Sequence, residues 1–142
     1  MKKILFIAAL ATLPFVLFAQ KPLKGPLDGK TYVVEHLKEG KKKPIDPPDE
    51  LKFNAGKFKS KYFTDWGFTK AGIYQVTFAD STKKDCTWTT DMVNDIEEKM
   101  TWNATITGDE IEGTTELVNK KGEKKYSYSF TGTLKGNKTA KK

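Results

Sequence analysis

Few side chains in this sequence can do acid–base, redox or metal chemistry. There is one histidine, His36, and one cysteine, Cys86, among 142 residues. A single cysteine excludes an intrachain disulfide and any multi-cysteine metal site, and a single histidine excludes a histidine-rich cluster. The cations are 25 lysines with no arginine, so the two-pronged guanidinium grip on carboxylates and phosphates is absent. His36 as a general base would need an orienting partner. Its nearest acids are Glu35 and Glu39, and Glu35 is a poor partner because adjacent strand residues face opposite sides. Asp91, Asp95, Glu97 and Glu98 gather at a turn but lack the glycine and alternating oxygen ligands of a calcium loop. They read as a solvated turn, with a weak cation site as the alternative. No nucleophile elbow, phosphate loop or zinc motif occurs. The expectation is a non-enzymatic protein with no catalytic residue, no metal and no cofactor.

The richest chemical resource is aromatic. Phe53, Phe58, Tyr62, Tyr74, Phe78, Trp88, Trp102, Tyr126, Tyr128 and Phe130 fall mostly on one face of a strand pattern. They either fill a core or line a small apolar cavity in which Tyr62, Trp88 and Tyr128 supply polar handles. Lysines run together at Lys41-Lys42-Lys43, Lys120-Lys121 and Lys124-Lys125. They lie in turns beside acids rather than interleaved with stacking rings, which argues for solvated turns and against nucleic-acid binding. Weak attraction to an anionic envelope surface is the residual reading.

The chain opens with Lys2 and Lys3, then an apolar run from Ile4 to Phe18 broken by Thr12 and Pro14, then Ala19. This is the layout of a secretory signal peptide, and the run is too short and too interrupted for a membrane span. Cleavage is expected after Ala19, giving an exported protein, periplasmic or extracellular. Residues 1–19 hold two lysines and no acid, so their removal lowers the net charge from +7 to about +5. No second apolar stretch follows that could span a membrane. Residues 20–27 read as a linker, 28–135 as the domain and 136–142 as a tail with nothing to bury. Cys86 opens a strand pattern and is expected to be buried as a small apolar residue.

Past residue 27 the hydrophobic period is two, the signature of half-buried strands. From Tyr126 to Leu134 every even position is apolar or glycine, and every odd one is a hydroxyl. Met100 to Thr107 and Ile111 to Leu117 repeat the pattern, separated by the Gly108-Asp109-Glu110 turn. Strands are also expected at Lys30–Lys38, Glu50–Phe53, Lys57–Phe63, Ile73–Ala79 and Cys86–Met92, with turn-rich separators. Thr64 to Gly72 is a longer link with Trp66 and Phe68, able to hold a helical turn or cover one end. An open sheet of eight strands would expose two long edges. The fold class is therefore all-β, an up-and-down antiparallel barrel closed by Lys30–Lys38 against Tyr126–Leu134. A two-sheet β-sandwich is the alternative.

With Leu27-Asp28-Gly29-Lys30-Thr31-Tyr32 at its start, tryptophan-bearing strands in the middle, the Gly108–Thr114 hairpin and a closing Tyr128–Thr133, the chain resembles the small bacterial lipocalin-like proteins of the calycin group. The first strand departs from the Gly-x-Trp of typical lipocalins, because Gly29 is followed by Lys30, Thr31 and then Tyr32. The arginine that packs on that tryptophan is missing, as is the Arg–Tyr clamp of fatty-acid-binding relatives. The resemblance implies a binding barrel for a small apolar or amphipathic ligand, neutral in preference to acidic. Its lining would be Phe58, Tyr62, Trp66, Phe78, Trp88, Trp102, Tyr128 and Phe130. A solid barrel that binds an envelope or protein partner is the alternative, and a small barrel hydrolase or isomerase is the third. A monomer is expected. A chain beginning at Gln20 should stay monodisperse without detergent in size-exclusion chromatography, and a requirement for detergent would contradict the reading of the N-terminus.

Overall fold

The computed structural model describes residues 24–136. The expected signal peptide, its cleavage point and residues 137–142 of the tail lie outside the described residues. Eight strands run β1 (Thr31–Lys38), β2 (Asp49–Asn54), β3 (Lys57–Ser60), β4 (Gly72–Phe78), β5 (Cys86–Val93), β6 (Lys99–Thr107), β7 (Glu110–Val118) and β8 (Lys124–Leu134), with one short helix, α1 (Lys61–Thr64), after β3. Each strand pairs antiparallel with the next, and β1 pairs with β8, so the sheet closes into a barrel. The sandwich alternative is thereby set aside.

Alternation places the side chains. In β5 every second residue from Cys86 to Met92 is buried and the intervening threonines and Asp91 face water. Closure runs over seven residue pairs, from Tyr32 opposite Leu134 to Lys38 opposite Tyr128. It requires Gly132, because a β-carbon there would lie 2.0 Å from the Val33 carbonyl oxygen. The β4–β8 wall presents an outer face of hydroxyls in cross-strand rows, such as Thr77–Thr87–Thr105 and, further round, Thr114–Ser129.

One expected strand ends early. The sequence pattern extends the third strand to Phe63, but the extended backbone stops at Ser60. Ser60 is the cap of α1: its hydroxyl accepts from the Phe63 N–H, and the Thr64 hydroxyl donates back to the Ser60 carbonyl. The local side-chain bonds outcompete the ladder. The link that follows covers this end of the barrel, with Phe68 fully buried and Trp66 exposed at 39%. Among the described residues no helix is long and apolar enough to cross a membrane.

The interior is a web of rings. Trp88 and Trp102 stack with centroids 6.4 Å apart, Phe58 lies 4.8 Å from Trp88 and 4.9 Å from Trp102, and Phe53 touches Phe58, Tyr74 and Trp88. Trp102 is wholly buried, with Phe63, Phe130 and the His36 ring around it. Truncating a large ring in such packing removes its transfer free energy and leaves a hole its neighbours cannot close. Trp102→Ala is therefore expected to cost about 3 to 5 kcal/mol in urea denaturation; a loss under about 1 kcal/mol would mean that the ring lines a void rather than filling the core.

Candidate functional site

The lone histidine lies inside the barrel near the α1 end. His36 Nε2 is 2.9 Å from Asp49 Oδ2, and both side chains are buried. The same carboxylate oxygen accepts from the Ser60 hydroxyl, while Asp49 Oδ1 accepts from the Tyr62 N–H at 2.8 Å. His36, Asp49 and Ser60 are the residue types of a nucleophilic triad, but the order is wrong for one. The carboxylate sits between the imidazole and the hydroxyl, so the histidine does not accept the serine proton. The arrangement ties β1, β2 and α1 together. Sequence neighbours suggested Glu35 or Glu39 as partners; the actual partner follows from strand register, since Asp49 lies opposite Val34, the inward residue before His36.

The eight residues expected to line a ligand site divide into three groups. Phe58, Trp88, Trp102, Tyr128 and Phe130 are buried in the ring web. Tyr62 is half-buried and Trp66 exposed, both at the α1 end, where Trp66 packs 6.0 Å from Tyr62 and 5.9 Å from Tyr126. Phe78 alone of the eight faces the opposite end, where it lines a recess. Five buried polar atoms, Tyr32 Oη, His36 Nδ1, Trp88 Nε1, Trp102 Nε1 and Thr115 Oγ1, have no hydrogen-bond partner among the described residues.

That recess is a concave site with apolar side chains in its lining. It holds about 300 Å³ and is lined by Pro26, Leu27, Lys30, Phe78, Lys83, Lys84, Cys86 and Ile106. A larger depression of about 670 Å³ lies on the outer β4–β8 wall, over Ala104 and Gly113. It is open, and its rim is threonine, serine, asparagine and glutamine on the solvated face, so it lacks the apolar enclosure of a ligand pocket.

Three segments build the recess. The first is the turn from Gly25 to Asp28, the described part of the expected linker, which places Leu27 in the core. Its fastening is the Asp28 carboxylate, which accepts from Gly25 N–H at 2.8 Å, Gly56 N–H at 3.0 Å and the Tyr74 hydroxyl at 2.9 Å. The Tyr74 oxygen in turn accepts from the Leu27 N–H at 3.0 Å. The second segment is the β4–β5 loop. Asp80 holds it by accepting from the Thr82 N–H and hydroxyl, Ala79 N–H donates to Asp85, and Lys83 takes the left-handed backbone. The third is Ile106 at the end of β6, next to Cys86 in register.

Electrostatics follow the burial. Desolvation pushes the Cys86 thiol up, with the Lys30 charge pulling the other way. Burial pushes Tyr32 up to about 12, reinforced by Cys86 and Asp109. Burial also pushes Tyr74 up to about 12, helped by its bond to Asp28. Asp28 itself is raised by desolvation, but the N–H groups of Gly25 and Gly56 and the Tyr74 hydroxyl outweigh that and hold it below its ordinary 3.8.

Lys30 and Leu27 fall in the opening motif that carried the sequence resemblance, and Cys86 and Ile106 have inward parity. Their convergence at one mouth was not readable, because it depends on the turn 25–28 folding back. Among the described residues no cluster of His, Cys, Asp and Glu is placed to hold a metal ion. Comparison with protein-family models, curated proteins and solved structures gives no match.

The Asp28 fastening sets a pH dependence. A carboxyl whose folded pKa is depressed stabilises the fold above its unfolded value, and that contribution disappears as pH falls through the folded value. Asp28→Asn should therefore be less stable than the parent at neutral pH, and the gap should narrow as pH drops below 3.8. Thermal melts across pH would check this, and a pH-independent gap would remove Asp28 ionisation from the account.

Proposed function

We propose that this protein is an exported, non-enzymatic, lipocalin-like barrel that binds a small apolar or amphipathic molecule at the mouth beneath the turn 25–28, not along the barrel axis. The observation that carries the reading is a contrast within one structure. The axis is occupied by stacked and edge-on rings, whereas the mouth keeps a recess of about 300 Å³ with Leu27, Phe78, Cys86 and Ile106 at its floor. That volume is at the lower bound of ligand sites in general and suits a body of one or two rings. Export is supported by the charged, apolar, small-residue order of residues 2–19.

A second reading has its own observation. A filled barrel with Trp66, Ile73, Val93 and Ile96 exposed, Ile96 at 67%, is what a solid protein-interaction module would present.

A neutral naphthylamine dye that fluoresces in apolar surroundings separates the two. Binding at the mouth should slow alkylation of Cys86 by iodoacetamide, and Phe78→Ala should weaken the dye by about tenfold by removing buried ring area. Trp66→Ala, at the opposite end, should leave dye affinity unchanged. No saturable dye binding, or binding that neither protects Cys86 nor responds to Phe78→Ala, would defeat the mouth site and favour the interaction module.

A further inference from the structure

The recess has a charge as well as a floor. Three of its eight lining residues are lysines, Lys30, Lys83 and Lys84, and no carboxylate lines it. None of the three amines forms an ion pair among the described residues, although other lysines do so, Lys124 with Glu39 and Lys135 with Glu50 among them. Asp109 and Glu110 stand at the β6–β7 turn of this end, and three other acids are hydrogen-bonded there. Asp80 is engaged by Thr82, Asp85 accepts from the Gly108 N–H, and Asp28 is saturated by Gly25, Gly56 and Tyr74.

The fold fixes the backbone beneath two of the amines. Lys30 precedes β1 and its backbone is fixed by N–H donation to the Leu27 carbonyl and acceptance from the Phe53 N–H. Lys83 sits in the left-handed region with its amine 6.0 Å from the Phe78 ring centre, so charge lies beside the apolar floor rather than away from it. Tyr32, two residues on from Lys30 and at the start of β1, is buried with its hydroxyl unpartnered among the described residues.

An apolar floor beneath a ring of unpaired ammonium groups is complementary to one class of molecule. We infer that the mouth selects compact organic anions, with a ring-sized apolar body on Leu27, Phe78, Cys86 and Ile106 and a carboxylate, sulfonate or phosphate head held by Lys30, Lys83 and Lys84. This rests on the mouth being the binding site, and it reverses the preference for neutral ligands expected from the absence of arginine. Three ammonium point charges do the work of a guanidinium fork with less geometric demand, so the head group is selected by charge and reach rather than by planar matching.

The test uses a matched pair of dyes: anilinonaphthalene sulfonate and the neutral phenylnaphthylamine of the same ring system. The parent should bind the sulfonate more tightly, and added salt should weaken the sulfonate but not the neutral dye. The triple variant Lys30→Gln, Lys83→Gln, Lys84→Gln should lose about tenfold in sulfonate affinity, the sum of three partly screened pairs, while neutral-dye affinity stays unchanged. A control triple of the same charge change, Lys41→Gln, Lys42→Gln, Lys43→Gln at the α1 end, should leave both dyes unchanged. Equal affinity for the two dyes, equal weakening of both by the mouth triple, or an equal effect of the control triple would overturn the inference while leaving the mouth site standing. Failure of both dyes to bind would instead remove the site itself.

Discussion

The stacked indoles of Trp88 and Trp102 set the terms for the rest of the molecule. They lie on adjacent strands, and their bulk is accommodated because the positions beside them are small: Ala104 is opposite Trp88, and Gly113 is opposite Ala104. A β-carbon on Gly113 would come within 2.3 Å of the Asn103 carbonyl oxygen. Large residues against small ones is how a narrow barrel reaches interior packing density. Once the axis is filled in this way, anything that binds must do so at an end or on the outer wall.

Each end is fastened by a carboxylate of its own. Near α1, Asp49 takes bonds from His36, Ser60 and the Tyr62 backbone; at the mouth, Asp28 takes them from Gly25, Gly56 and Tyr74. Each gathers donors both from strand residues and from a chain reversal, and so ties that reversal to the core. The two ends then diverge. The α1 end is plugged by Phe63 and Phe68, both fully buried, whereas the turn at the mouth inserts one modest side chain, Leu27, and leaves room beside it. The difference in plug size is the physical reason that the recess is at one end and not the other.

The period-two pattern made nearly all of the fold legible, including the pairing of the first and last strands, because every slip of one residue would have turned rings outward. The end of the third strand was misread because a serine followed by lysine, tyrosine and phenylalanine fits a strand and a capped turn equally well until tertiary contacts decide. The candidate site was much less legible. Phe78 was anticipated, but Leu27 falls in the expected linker and Lys83 and Lys84 fall in a separator between two expected strands. The recess arises from where loops land, and landing points depend on bonds such as Tyr74 to Asp28 across 46 positions of sequence. The partner of His36 was hidden for the same reason, since strand register, not sequence distance, brings Asp49 to it.

The three tryptophans occupy two different settings, a buried stacked pair and an exposed single indole, and that gives the protein a built-in optical record of its own state. Two stacked indoles 6.4 Å apart at 21° are close enough for their electronic transitions to mix, which imposes a paired, opposite-signed feature on the aromatic circular dichroism. Trp66, partly exposed at the α1 end, stands apart from that pair. Loss of the paired feature therefore reports melting of the barrel axis, and a shift in emission from Trp66 reports events at the α1 end, so the two can be followed separately in one unlabelled sample.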